Sequence, residues 1–312
     1  MTSLRRCASI LAFAALAGWV AGATAAEEPT LRSAAVLVID AETGEVLHAK
    51  NAGAVVPIAS ITKLMTAMVT LDAALPLDEP ITITTDDAQA AQSKRRARVP
   101  VGATLTRAEL LQLALMASDN VAAVALGRAY PGGMDAFAAA MNAKAHALEM
   151  TGSRFVEPSG LSSENVSTAE DLAKLVRAAK GYPVIAEYST TPNADFTIRG
   201  RRVAFANTNG LVRGHTWEIG LSKTGFINAA GRCLVMQATV ATRSLIIVLL
   251  DSVGKYTRIG DANRIRQWLE PGFFAPAEPR SAAARPKTVT KAQAQRAPEA
   301  RVRKQYPAPT PR

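Results

Sequence analysis

The chain has 312 residues, 48% hydrophobic and 20% charged, which allows a large buried core and excludes wholesale disorder, collagen and coiled coil. Its formal net charge is +10, yet residues 275–312 carry +7 and the first 26 residues +2, so the stretch between is nearly neutral. A nucleic-acid-binding domain would hold its positive charge on a folded face, and this distribution excludes one.

Arg5 and Arg6 precede an apolar run over residues 10–20, followed by small residues to Ala26, with Ala23-Thr24-Ala25 fitting a small-x-small cleavage site. The run is too short for a stable bilayer span. Residues 1–26 therefore read as a secretory signal peptide, and the mature chain as a periplasmic protein with no integral membrane anchor; the alternative is an uncleaved N-terminal anchor. Cys7 leaves with the leader, and Cys233, alone in the apolar run Cys233-Leu234-Val235-Met236, reads as a small buried hydrophobe. His48, His146 and His215 are scattered without metal-ligand spacing, so no metal or cofactor is expected.

Two β-rich runs, residues 35–40 and 45–49, flank Ala41-Glu42-Thr43-Gly44, a hairpin signal. Pro57 breaks the chain, and Ser60 opens a helix with Ile61, Leu64, Met65 and Met68 on one face. Further helices are expected over 107–117, after Asn120, over 134–148 and over 168–179, the last with Glu170 and Asp171 in its first turn, where the helix dipole favours them. Strand-like runs follow at 195–198, 203–206, 217–223, 233–240 and 245–250, and a last helix spans 259–269. Helices in the middle with strands at both ends indicate an α+β fold, a mainly antiparallel sheet flanked by helices with a helical subdomain. Beyond Pro271 the composition turns to Pro, Ala, Gln and Lys/Arg without apolar periodicity. The chain thus divides into residues 1–26, a folded domain over 27–274, and a disordered basic tail over 275–312, either solvated or in weak contact with an anionic envelope surface.

Three short motifs carry chemistry. In Ser60-Ile61-Thr62-Lys63 the serine and lysine project from one helix face and can hydrogen-bond. The Ser60 hydroxyl becomes a nucleophile once a base takes its proton, and Lys63 can be that base only when uncharged, which burial and the positive end of a helix both favour. Alone this pattern is weak, since roughly one S-x-x-K arises by chance in such a chain. Ser118-Asp119-Asn120 reads either as a helix N-cap or as a site, with the Ser118 hydroxyl relaying a proton to the leaving group and the Asn120 amide holding a peptide backbone. Lys223-Thr224-Gly225 closes a predicted strand, offering an edge to an extended peptide. There Lys223 and Thr224 would bind a carboxylate, and Gly225 would remove the side chain that blocks close approach.

In this order and spacing the three motifs resemble the serine penicillin-recognising enzymes, and most closely the low-molecular-weight penicillin-binding proteins of the D-alanyl-D-alanine endopeptidase branch. Supporting stretches are residues 57–66, Phe155-Val156-Glu157-Pro158-Ser159-Gly160-Leu161, Asn165-Val166-Ser167-Thr168-Ala169 and Lys223-Thr224-Gly225-Phe226. The resemblance implies a β-lactamase/transpeptidase-like fold, catalysis by Ser60, Lys63 and Ser118, and substrate binding by Asn120, Lys223, Thr224 and Gly225. It also implies an oxyanion hole from the backbone N–H groups of Ser60 and Phe226. Implied ligands are peptidoglycan stem peptides and cross-links, with β-lactams as covalent inhibitors. Many carboxypeptidase relatives carry a second β-rich domain and a C-terminal amphipathic anchor; here the folded pattern stops near Phe274, as in the shorter endopeptidase branch. A class A β-lactamase also needs a glutamate that activates the deacylating water, usually in Glu-x-x-Leu-Asn. Glu149, Glu157, Glu164, Glu170 and Glu187 all lie outside such a segment, so a penicilloyl ester is expected to hydrolyse slowly. The expected reaction is hydrolysis of D-alanyl-diaminopimelate cross-links through a Ser60 acyl-enzyme, with D-Ala-D-Ala carboxypeptidase, β-lactamase and a non-catalytic peptidoglycan binder as alternatives.

Overall fold

The computed structural model describes residues 28–92 and 98–270. The leader at 1–26 and the tail at 275–312 lie outside the described residues. The chain runs β1 (Ser33–Asp40), β2 (Val46–Lys50), β3 (Val56–Pro57), a 3₁₀ turn (Ala59–Ile61), α1 (Thr62–Asp72), β4 (Pro80–Thr82), α2 (Thr85–Ala90), β5 (Thr104–Thr106), α3 (Arg107–Met116), α4 (Asn120–Arg128) and α5 (Gly133–Ala147). It continues with β6 (Val166–Ser167), α6 (Ala169–Lys180), α7 (Pro183–Thr190), β7 (Asn193–Ile198), β8 (Arg201–Ala206), α8 (Gly210–Arg213), β9 (Glu218–Ile227), β10 (Gly231–Val240), β11 (Arg243–Ser252) and α9 (Thr257–Leu269).

A five-stranded sheet in the order β2-β1-β11-β10-β9 organises the molecule, so the first strands of the chain pair antiparallel with the last. Its inner strands are buried on both faces, which is why Leu245-Ile246-Ile247-Val248-Leu249-Leu250 is continuously apolar rather than alternating. The pleat divides that run. Ile246, Val248 and Leu250 join Ala35, Leu37, Ile39, Cys233 and Val235 in a core shared with α1, α3, α4 and α6. Leu245, Ile247 and Leu249 join Val36, Val38, Leu234 and Met236 in a second core beneath α9. Cys233 is fully buried, and burial pushes its thiol up to about 11. The α+β fold is as the sequence implies, with an antiparallel sheet between helical layers.

Three differences bear on the site. Ser60 does not open the long helix: it sits in the 3₁₀ turn one step before α1, and Ala59 beside it has a left-handed φ of 48°. The third motif, Lys223-Thr224-Gly225, does not close its strand either: β9 continues through it to Ile227. Short elements the periodicity did not predict, β4, α2, β5 and α7, each span eight residues or fewer, too few for a helical or alternating pattern to declare itself. No helix among the described residues is long and apolar enough to cross a membrane.

Candidate active site

The three motifs lie far apart in the chain and meet at one place. Ser60 stands on its 3₁₀ turn, Ser118 and Asn120 at the junction of α3 and α4, and Thr224, Gly225 and Phe226 on β9, the outer strand of the sheet. Together with Thr208 and Arg258 these residues line an open cleft of about 270 Å³.

Lys63 occupies the second position of α1 and is fully buried directly behind Ser60. Its Nζ lies 2.8 Å from Ser60 Oγ, 2.7 Å from Asn120 Oδ1 and 2.5 Å from the Ser159 carbonyl oxygen. Burial pushes the ammonium down to about 8 from 10.5, against the opposing charges of Glu157 and Asp119. A neutral amine has two N–H donors and one lone pair. The Asn120 and Ser159 oxygens are pure acceptors and take both donors, so the lone pair is left facing the Ser60 hydroxyl. The arrangement can therefore lift a proton from Ser60.

The Ser159 carbonyl is aimed by its own loop. Glu157 Oε2 accepts hydrogen bonds from the Ser159 N–H and hydroxyl, both at 2.6 Å. Its Oε1 accepts from the Ser162 N–H at 3.2 Å and from Asn165 Nδ2 at 3.0 Å. Gly160 closes this loop with a φ of 77°, and a Cβ there would stand 2.0 Å from the Ala59 carbonyl oxygen. Only glycine lets the loop press against the Ser60 turn. Both Glu157 oxygens are thus committed, so this carboxylate is not free to activate water as a β-lactamase glutamate does.

Ser118 is not the helix cap; Asp119 is, accepting from the Ala122 N–H at 2.9 Å. Ser118 takes a left-handed φ of 57°, a conformation costing a non-glycine residue roughly 1 kcal/mol, and this turns the residue toward the cleft. Its hydroxyl accepts from Lys223 Nζ at 2.8 Å. Lys223 is itself 1% exposed and also donates to the Thr224 carbonyl, so it reaches the site from behind rather than from the cleft wall. Burial, and then the charges of Lys63 and Arg258, hold its ammonium well below the usual range.

Gly225 lines the cleft and also meets a contact its sequence position does not suggest. A Cβ there would lie 2.9 Å from the Ile58 carbonyl and 3.2 Å from the Ser60 amide nitrogen. The missing side chain lets β9 meet the Ser60 turn, which brings Phe226 beside Ser60 at the cleft. Two cleft residues went unnoticed in the sequence. The Thr208 hydroxyl lies 2.6 Å from that of Thr224. Arg258 donates to the Gly225 carbonyl at 3.2 Å, and α9, which carries it, is pinned to β1 by Asp261, whose carboxylate accepts from the Ser33 N–H at 2.7 Å and hydroxyl at 2.6 Å. One signal was available: Arg258 sits in the first turn of a helix, where the dipole disfavours a cation. Among the described residues no carboxylate forms an ion pair with Arg258, so its guanidinium brings to the cleft an uncompensated positive charge suited to an anionic ligand.

The chain matches the family described as D-alanyl-D-alanine carboxypeptidase over residues 22–254. It is 50% identical over 244 residues to a D-alanyl-D-alanine endopeptidase of Pseudomonas aeruginosa, covering 78% of each chain. It is 47% identical over 259 residues to a D-alanyl-D-alanine endopeptidase of Escherichia coli, covering 82% of this chain and 83% of that one. Its structure is similar to the crystal structure of a D-alanyl-D-alanine carboxypeptidase from Mycobacterium tuberculosis, with a TM-score of 0.72 and 30% identity over 79% of this chain and 94% of the other.

Proposed function

The chain belongs to the D-alanyl-D-alanine carboxypeptidase family of serine peptidases, and from that premise we propose that it cleaves peptidoglycan cross-links as an endopeptidase. The three-way coordination of Lys63 Nζ carries the chemical part of this reading. In the proposed reaction Ser60 Oγ attacks the carbonyl carbon of a D-alanine, and its proton passes to Lys63 Nζ. The oxyanion that forms is met by the Ser60 and Phe226 N–H groups, each worth a few kcal/mol of barrier. The amide nitrogen leaves as an amine, protonated from Lys63 through Ser118. Water then cleaves the Ser60 ester and restores the hydroxyl.

Asn120 gives its Oδ1 to Lys63, which leaves its Nδ2 to donate to the substrate's peptide carbonyl. The leaving centre carries a free carboxylate, which Thr208, Thr224 and Arg258 receive at the cleft, with Lys223 behind them donating to Ser118. The D-centre of diaminopimelate in a cross-link and a terminal D-alanine present the same amide and carboxylate, so this chemistry serves both. The two endopeptidase relatives favour the cross-link. A β-lactam presents a similar carboxylate and a reactive carbonyl, and with Glu157 committed to its loop the resulting ester persists. We place the reaction in the periplasm, on the strength of the leader pattern at residues 1–26.

Digestion of cross-linked muropeptides followed by chromatography tests the proposal. Conversion of dimers to monomers is expected. Release of alanine alone makes the enzyme a carboxypeptidase, and no change on either substrate refutes peptidase action.

A further inference from the structure

The cleft is not the only place where positive charge is gathered. The β7–β8 hairpin meets the chain at 98–101 across a groove of about 400 Å³ lined by Arg98, Pro100, Ile198, Arg199, Arg201 and Val203. Two of its three guanidiniums are fixed without being neutralised. Arg98 lies over the Phe205 ring, 4.1 Å from its centroid, and donates to the Ala204 carbonyl. Arg199 donates to the Val101 carbonyl at 2.6 Å. Among the described residues no carboxylate forms an ion pair with Arg98, Arg199 or Arg201, whereas the adjacent Arg202 is paired with Asp195 at 2.6 Å. Three like charges held around one groove, in a body that is otherwise nearly neutral, repel one another unless an anion joins them.

The groove adjoins the active site. Val203 borders the groove and Thr208 borders the cleft. They lie five positions apart in the chain, a span of at most ~17 Å. Arg98 is also close enough to act on the carboxyl of Asp119, between Ser118 and Asn120. A stem peptide of five extended residues covers the same ~17 Å, and such peptides carry free carboxylates away from the scissile amide.

We propose that the Arg98–Arg199–Arg201 groove is a second substrate subsite, which binds a free carboxylate of the peptidoglycan stem peptide while the scissile amide lies at Ser60. The proposal rests on the peptidoglycan reading above. It explains why Arg98 and Arg199 are oriented by backbone carbonyls and an aromatic face: these leave other N–H groups of each fork free for a carboxylate.

The test replaces Arg98, Arg199 and Arg201 together by Gln, with thermal melting and penicillin acylation confirming an intact fold and Ser60 site. For muropeptide dimers KM should rise roughly ten-fold with kcat unchanged, the loss expected for one charge-assisted contact. The difference should close in about 0.5 M salt and vanish for muropeptides whose carboxylates are amidated. An unchanged KM overturns the proposal. A separate titration with an uncross-linked disaccharide tetrapeptide, on the Ser60→Ala background, keeps the two readings apart. If wild type cleaves no dimer yet the triple replacement still weakens tetrapeptide binding about ten-fold, the subsite stands and the cross-link reading falls. Equal tetrapeptide binding overturns the subsite. So does loss of binding to phosphatidylglycerol vesicles with muropeptide binding unchanged, which would assign the groove to a membrane surface.

Discussion

Raising and lowering the pH titrates the lysine on which the mechanism turns. Burial brings Lys63 from 10.5 down to about 8, a difference equivalent to about 3 kcal/mol. Its neutral, competent fraction is then about 1% at pH 6, about 10% at pH 7 and half at pH 8, against about 0.03% at pH 7 for an unperturbed lysine. Loss of the proton creates the base, so acylation must rise with pH: about ten-fold per unit below pH 7, then levelling above pH 8 to 9. The second-order rate of acylation by a chromogenic cephalosporin, followed by stopped flow, reads this directly. Lys63→Arg keeps the charge but cannot release a proton, and its rate should be both very low and flat across the range. A wild-type profile flat from pH 6 to 9, or near-normal acylation by Lys63→Arg, would refute the reasoning.

Other perturbations separate charge from geometry. Glu157→Gln removes a negative charge that favours the ammonium, so the midpoint of that profile should move to lower pH. The new amide also turns an N–H toward the donors of Ser162 and Asn165, which should destabilise the fold by roughly 1–3 kcal/mol in chemical denaturation; an upward midpoint shift would contradict the electrostatics. Gly225→Ala places a methyl against the Ile58 carbonyl and the Ser60 amide, so acylation should fall at least ten-fold while secondary structure by circular dichroism is kept. Near-normal acylation would show that the oxyanion geometry does not depend on this contact. For Asp261→Ala, which strips buried Ser33 of its acceptor and leaves α9 unpinned, a loss of roughly 2–4 kcal/mol is expected in denaturant unfolding.

What the sequence declared, and what it hid, follows from how each residue acts. Side chains proposed to work through their own functional groups were legible: Ser60, Lys63, Ser118, Asn120, Lys223 and Thr224 form three short patterns, and folding brings them to one place. The sheet's inner strands were legible because burial on both faces demands unbroken apolar runs. Contributions made through the backbone were not. The Ser159 carbonyl is a ligand of Lys63 that any residue could supply, and its aim depends on Glu157. Gly225 announced a close approach but not the contact the fold adds, which is with the Ser60 turn. Thr208 and Arg258 arrive at the cleft from segments with no motif, the first held by its N–H bond to the Met116 carbonyl and its hydroxyl contact with Thr224, the second by the docking of α9.

The most direct measurement is the intact mass of the protein after exposure to a penicillin, followed by mapping of the modified peptide. Wild type should gain the mass of one penicillin, carried on Ser60, and keep it for many minutes. Ser60→Ala, folded to the same melting temperature, should gain nothing. A gain in Ser60→Ala, or an adduct mapped to another residue, would contradict the account at its centre.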